Sequence, residues 1–400
     1  MKKICLTLIG LYVGLFAGFA QNNSDSSEYK SRKLNFEEAN FVSGYYHQDG
    51  NHAAVTGGTG SEKLTDLSNT IEVKLYNYDR LFRKNNWNLE LGIDHYTSAS
   101  SDMIDLKANS SASHADTRFY PSINWTRENE KKGTTIGGGL SFSKEFDYTS
   151  LGANINIAKK TNDRNGEFTA KIQGYLDKVT LIYPTELRPG YTGLPREKSN
   201  YTTTPRNSIS TSLSWSQVVN KRLQMQVDAD LAYQQGYLGL PFHRVYFTDQ
   251  SVHVENLPTT RKKIPLAIRA NYFVGDKVIL RAYYRYYTDD WGLKANTASL
   301  EVPVKLNPFF SLTPFYRHYI QTAVKYFAPY QTHTSADTYY TSNYDLSAFT
   351  SEFFGAGIRM TPPKGVFGFQ RLGMLELRYG HYTRSEGMQS DVLTLNLQFR

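Results

Sequence analysis

Cysteine is almost missing from this chain: the only one in 400 residues is Cys5. A mature protein that has lost its N-terminus therefore has no disulfide staple, no thiolate metal site and no cysteine nucleophile. Long apolar runs are also missing. Beyond residue 20 no stretch approaches the roughly 20 residues that a membrane-spanning helix needs, and mean hydropathy is -0.50. The histidines (His47, His52, His95, His114, His243, His253, His318, His333 and His381) make no His-x-x-x-His pair and no dense cluster with acids, so spacing assigns no metal site. No Gly-x-Ser-x-Gly context marks a serine nucleophile. No repeat of about 20–50 residues suggests a propeller. With no catalytic constellation and no cofactor motif, the chain is read as non-enzymatic and as carrying no cofactor.

The N-terminus supplies an address. Lys2 and Lys3 precede an apolar run over residues 5–19 that closes Gly18-Phe19-Ala20, which predicts a signal peptide over 1–20 cleaved between Ala20 and Gln21. Cys5 lies too early to be a lipid-attachment site. Loss of Lys2 and Lys3 takes the net charge from +8 to +6, a modest excess that reads as lumen and loop charge, and an exported chain has no nucleic acid to bind. Residues 21–33, rich in Ser and Asn, read as a flexible lead-in, and 34–400 as one domain.

What the chain has in abundance is aromatic residues, 30 Tyr and 22 Phe, set in a period of two. Ile264, Leu266, Ile268, Ala270 and Tyr272 alternate with Pro265, Ala267, Arg269, Asn271 and Phe273. After Gly275-Asp276-Lys277 the pattern resumes as Val278, Leu280, Ala282, Tyr284 and Tyr286 against Arg281, Tyr283, Arg285 and Tyr287. After Gly292 it resumes again, as Ala298, Leu300, Val302, Val304 and Leu306 against Ser299, Glu301 and Lys305. Period two means strand, with one face apolar and the other charged. Strand signals recur at 39–47, 70–78, 86–96, 117–127, 134–144, 150–159, 167–181, 207–219, 223–235, 309–319, 352–360, 372–382 and 391–400. With the three above they number about sixteen, and fourteen is the alternative.

The connections alternate between short (128–132, 161–166, 220–222, 275–277) and long (48–67, 97–116, 182–206, 236–260, 321–351). Short members such as 145–147 and 289–292 also occur in the long class. That asymmetry is expected of an all-β transmembrane antiparallel barrel with short periplasmic turns and long outside loops, seated in outer-membrane lipid. A sandwich gives no reason for it.

If the apolar face meets lipid, the other face meets the lumen. Candidates there are Glu90, Asp94, Asp228, Asp230, Arg269, Arg281, Arg285, Glu301, Lys305 and Arg317. Basic residues cluster between Arg269 and Arg317, and acids at 72–94 and 177–230. Two readings follow: a transverse field acting on charged solutes, or polar filling that pairs across strands only to be satisfied. The aromatic loops 237–249 and 326–341 suggest a plug or a docking surface.

Four motifs carry a family resemblance: His52-Ala-Ala-Val-Thr-Gly-Gly-Thr-Gly-Ser-Glu-Lys-Leu64; Ser98-Ala-Ser-Ser-Asp-Met-Ile-Asp105 with Ser111-Ala-Ser113; Leu240-Pro-Phe-His-Arg-Val-Tyr-Phe247; and Tyr283-Tyr-Arg-Tyr-Tyr-Thr-Asp-Asp-Trp-Gly292. They resemble a family known only as a domain of unknown function, whose members are exported proteins of Gram-negative bacteria. The resemblance implies an outer-membrane barrel. Because members tend to be encoded near a flavin transferase, a thioredoxin-like protein and a small lipoprotein, it also implies a role in extracytoplasmic redox or metal handling with a periplasmic or lipoprotein partner. It brings no catalytic residues. The expected function is therefore a conduit or scaffold in the outer membrane, with a porin-like channel for small charged solutes as the alternative.

Overall fold

The computed structural model describes residues 32–97, 115–188 and 201–400. The expected cleavage at Ala20 and Gln21, His114 and the motif at 98–113 lie outside these. β1 (Asn35–Asp49), β2 (Leu64–Tyr78), β3 (Lys84–Thr97), β4 (Ala115–Asn129), β5 (Thr134–Lys144), β6 (Tyr148–Lys160), β7 (Gly166–Thr180), β8 (Thr203–Asn220) and β9 (Leu223–Gly236) form one antiparallel meander. A small hairpin, β10 (Arg244–Tyr246) and β11 (Val252–Val254), stands apart from it. The meander resumes with β12 (Thr260–Val274), β13 (Val278–Asp289), β14 (Lys294–Glu301), β15 (Val304–Asn307), β16 (Phe310–Gln321), β17 (Phe349–Met360), β18 (Leu372–Arg384) and β19 (Gln389–Phe399). β19 then pairs with β1, Ala39 opposite Phe399, and closes the ring. The result is a closed 16-strand antiparallel barrel, as the alternation predicts.

β14 and β15 share one position in the ring, a break that the sequence pattern misses by running 298–306 as a single strand. Pro303 has no N–H for the ladder. The chain bridges the gap with Val302 N–H donating to Pro314 O (2.9 Å) and Pro303 O accepting from Ile279 N–H (3.0 Å). A second difference lies among the short turns: 361–371 is longer than the rest and folds into a 3-10 turn at Val366–Gly368.

Each strand presents one face outward. Ile264, Leu266, Ile268, Tyr284, Leu300, Tyr316, Ile358, Leu377 and Leu393 belong to a continuous exposed apolar surface. Near the short turns this surface carries Trp87 beside Trp125 (6.3 Å between rings), and Trp215 paired across strands with Phe168. Near the long loops it carries Tyr45, Tyr284, Tyr316 and Tyr379. Inward positions are mostly small or polar, with aromatic rings such as Tyr120, Phe315 and Phe353 among them. Gly92 is needed among them, because a Cβ there would lie 2.0 Å from the Tyr120 ring, whose hydroxyl donates to Asp94 (2.8 Å).

Candidate functional site

Four long connections fold together over one end of the barrel. The 50–63 loop turns on Gly57, Gly58 and Gly60, all at φ near +80°, where a side chain would be strained. This bend lets Gly57 meet the Tyr246 ring and Gly58 meet Ser342 O, while His52 stacks on Tyr344 at 3.8 Å. Arg244 of β10 reaches both Glu186 (2.5 Å) and Val55 O (2.8 Å). Isolated bridges join Phe247 to His333 and Asn256 to Tyr340. Leu238, Leu257, Trp291, Leu293 and Val324 form an apolar core beneath them. The aromatic loops singled out in the sequence therefore fold as a cap, and three of the four family-like motifs converge in it.

The polar centre of the cap is Glu255, 4% exposed. Its carboxylate accepts from the Thr341 hydroxyl (2.5 Å) and the Leu240 N–H (2.8 Å), and His243 Nδ1 stands 3.7 Å away, outside hydrogen-bond distance. Burial pushes this carboxyl up. The His243 imidazole and the two donors outweigh burial and hold it below the usual carboxylate range.

Between the cap and the inward ends of β1–β4 and β7–β9 lies a chamber of about 660 Å³. Glu62, Asp116, Glu145, Asp147, Asp177 and Asp345 line it, against Arg118 and Arg206. Among the described residues only Asp345 of these six acids is in an ion pair, with Arg384 at 2.8 Å. Glu145 accepts instead from the Tyr96 hydroxyl and Asp177 from the Tyr148 hydroxyl. Crowding shows in the loop acids. Burial and then the charges of Glu145 and Asp116 push Asp147 up to about 6, and burial and Asp345 push Glu62 upward.

A raised carboxyl pKa has a definite sign in stability. The unfolded Asp147 loses its proton near 3.8 and the folded one near 6, so stability falls as pH rises between those values. The Asp147→Asn variant should therefore be more stable than wild type at pH 7.5, by about 1 kcal/mol after allowing for water in the chamber, and no more stable at pH 3.5. Thermal unfolding at the two pH values checks this, and an unchanged or lower midpoint at pH 7.5 would refute it.

The residues singled out from the sequence occupy the face opposite the exposed apolar band, and they fall into two groups. Some are paired. Asp228 meets Arg269 at 3.3 Å, Glu301 is clasped by Arg281 (2.8 Å) and Arg378 (3.0 Å), and Asp94 accepts from Tyr120. Others have no ion-pair partner among the described residues: Glu90, Asp230, Lys305, Arg285 and Arg317. The last two lie only over the rings of Tyr287 (5.7 Å) and Phe353 (4.9 Å). Ring order sets β3, with Glu90 and Asp94, eight positions from β13, with Arg281 and Arg285. Glu90 and Asp94 thus stand across the barrel from Arg281 and Arg285, whereas Asp228 and Asp230 on β9 adjoin the basic strand β12.

Sequence reasoning missed most of the chamber. Glu62, Asp116, Glu145, Asp147 and Asp345 sit at strand ends or in loops, where acids are unremarkable singly. The Glu145-Phe146-Asp147 turn, with two acids in three residues, was the available signal.

The model of the family DUF3570, described as a protein of unknown function, matches residues 96–386. No curated protein matches the chain. Among solved structures it is similar to Pseudomonas aeruginosa OccK1 (OpdK), at 8% identity and TM-score 0.41, over 93% of this chain and 99% of that one. It is similar to a BenF-like porin from Pseudomonas fluorescens Pf-5 at 10% identity and TM-score 0.40, over 93% and 100%. It is also similar to the siderophore receptor PirA from Acinetobacter baumannii, at 12% identity and TM-score 0.46, over 87% and 53%.

Proposed function

The chain belongs to the DUF3570 family, and we propose that it is an outer-membrane conduit for small charged solutes. The membrane reading rests on the exposed apolar surface with aromatic residues at both margins, which in water would be an aggregation hazard and in lipid is the expected exterior. Closure of the ring leaves no unpaired strand edge, the condition for a sheet to cross a bilayer.

The opposed walls carry the conduit reading. Polar filling needs its charges paired, and Glu90, Asp230, Arg285 and Arg317 are not paired with opposite charges among the described residues. Glu90 on β3 stands across the ring from Arg285 on β13, and unpaired charges of opposite sign so placed orient a charged or dipolar solute in transit. Nothing among the described side chains favours the holding of a redox or metal partner over conduction.

The test is conductance of the purified protein in planar bilayers under a salt gradient. Wild type should form stable ionic channels. Glu90→Gln with Asp230→Asn should shift selectivity toward anions and Arg285→Gln with Arg317→Gln toward cations, each by about fivefold in permeability ratio if each pair of charges together contributes about 1 kcal/mol at aqueous screening. A silent barrel, or shifts of the same sign from both pairs, would sink the reading.

A further inference from the structure

We propose that the chamber under the cap is a binding site for organic polycations of the polyamine class, short aliphatic chains carrying two or more ammonium groups. Charge gives the sign of the ligand. Five of the six wall carboxylates, Glu62, Asp116, Glu145, Asp147 and Asp177, have no ion-pair partner among the described residues.

A buried carboxylate of the chamber wall is left partly unsatisfied. Asp177 is 9% exposed, and its Oδ1 has no hydrogen-bond partner while its Oδ2 accepts from Tyr148. Asp177 lines the chamber. A buried carboxylate oxygen without a donor is costly, and an ammonium N–H satisfies it.

The distribution of the charges sets the ligand class. Among the described residues no three acids or histidines converge as a metal shell requires, so the negative charge is spread along the wall. The lining also includes the apolar and aromatic side chains of Val55, Val179, Leu240, Phe242, Phe146 and Met388. A chain of methylenes separated by ammonium groups complements a wall that combines carboxylates with apolar side chains. Its CH₂ segments bury against the apolar side chains while each cation meets a carboxylate or an aromatic face. A hydrated divalent ion would leave the apolar part of the wall unused.

This deepens the conduit reading by naming a solute class and rests on that reading for passage, but binding can be measured separately. The experiment is calorimetric titration of the full-length protein in detergent at low ionic strength with spermidine, with magnesium chloride and choline as comparison probes. Wild type should bind spermidine saturably, and magnesium and choline at least tenfold more weakly. Glu145→Gln with Asp147→Asn should weaken spermidine at least tenfold, and so should Asp177→Asn alone. Each variant is first shown to keep the compact, heat-modifiable migration of a closed barrel; should one fail to fold, the other carries the test. No saturable spermidine binding, equal binding by folded variants, or magnesium binding as tightly as spermidine would overturn the proposal. Binding retained in a barrel that never conducts would refute the conduit and leave the site standing.

Discussion

Replacement of Trp291 by Ala is expected to release the cap while leaving the barrel closed. Trp291 is 3% exposed in the tight connection between β13 and β14, and packs with Leu238, Leu257, Leu293 and Val324. Its Nε1 donates to Thr260 O (2.9 Å), and the Arg261 guanidinium lies 4.3 Å from its ring. Arg261 is held in turn by Asp289, which also accepts from Tyr287 (2.9 Å) and from the Leu293 N–H (3.0 Å). Removing the indole leaves a cavity beneath four loops and an unpaired carbonyl, a loss of about 3–5 kcal/mol. The strand ladder does not depend on it, so the loss should fall on the cap. Hydrogen exchange should show lost protection over 237–259 and 322–348 with the barrel strands unchanged. Trp291→Phe should retain most of the protection. A cap as protected in Trp291→Ala as in wild type would show that this core does not hold it.

Replacement of Glu255 by Ala is expected to have an effect of the same size by a different route. The carboxylate is the shared acceptor for Thr341 and the Leu240 N–H, on two different loops, and it faces His243. Without it, buried donors are left with no partner, at about 3–5 kcal/mol for a broken buried charged network. Glu255→Gln keeps one acceptor and should cost less, about 1–3 kcal/mol. The pH dependence has a sign. The folded pKa of Glu255 lies below its unfolded value of 4.5, so its contribution is present above pH 4.5 and is lost as pH falls through the folded pKa. Cap protection in wild type should therefore weaken in acid, and Glu255→Gln should show less of that acid dependence. Equal acid sensitivity in both proteins would assign it to other groups, such as Asp337 against His333 at 3.5 Å.

The barrel was legible because membrane strands repeat one simple rule. Alternation along 264–274 or 223–235 fixes which side chains share a face, since successive residues of a strand point to opposite sides. The β14–β15 break was less legible, because Pro303 falls at a position where the apolar alternation continues undisturbed. Glu90 and Asp94 could be placed on one face, and Arg281 and Arg285 on another. Only closure of β19 onto β1 sets β3 and β13 eight positions apart, so that the two charged faces oppose each other.

The cap and its chamber were not legible, for a reason that concerns sequence distance. Glu62, Asp116, Asp147, Asp177 and Asp345 come from five separate connections or strand ends, and no period links them. Glu255 and Thr341 are 86 residues apart, and Arg244 and Val55 are 189 apart. Such contacts are chosen by the packing of loops over a ring whose diameter and strand order are already set. By itself the sequence determined the strands, their faces and the asymmetry of their connections, because each is a local property of spacing. The tertiary structure alone decided which carboxylates share a cavity and which loops seal it, because those contacts exist only once the ring has closed.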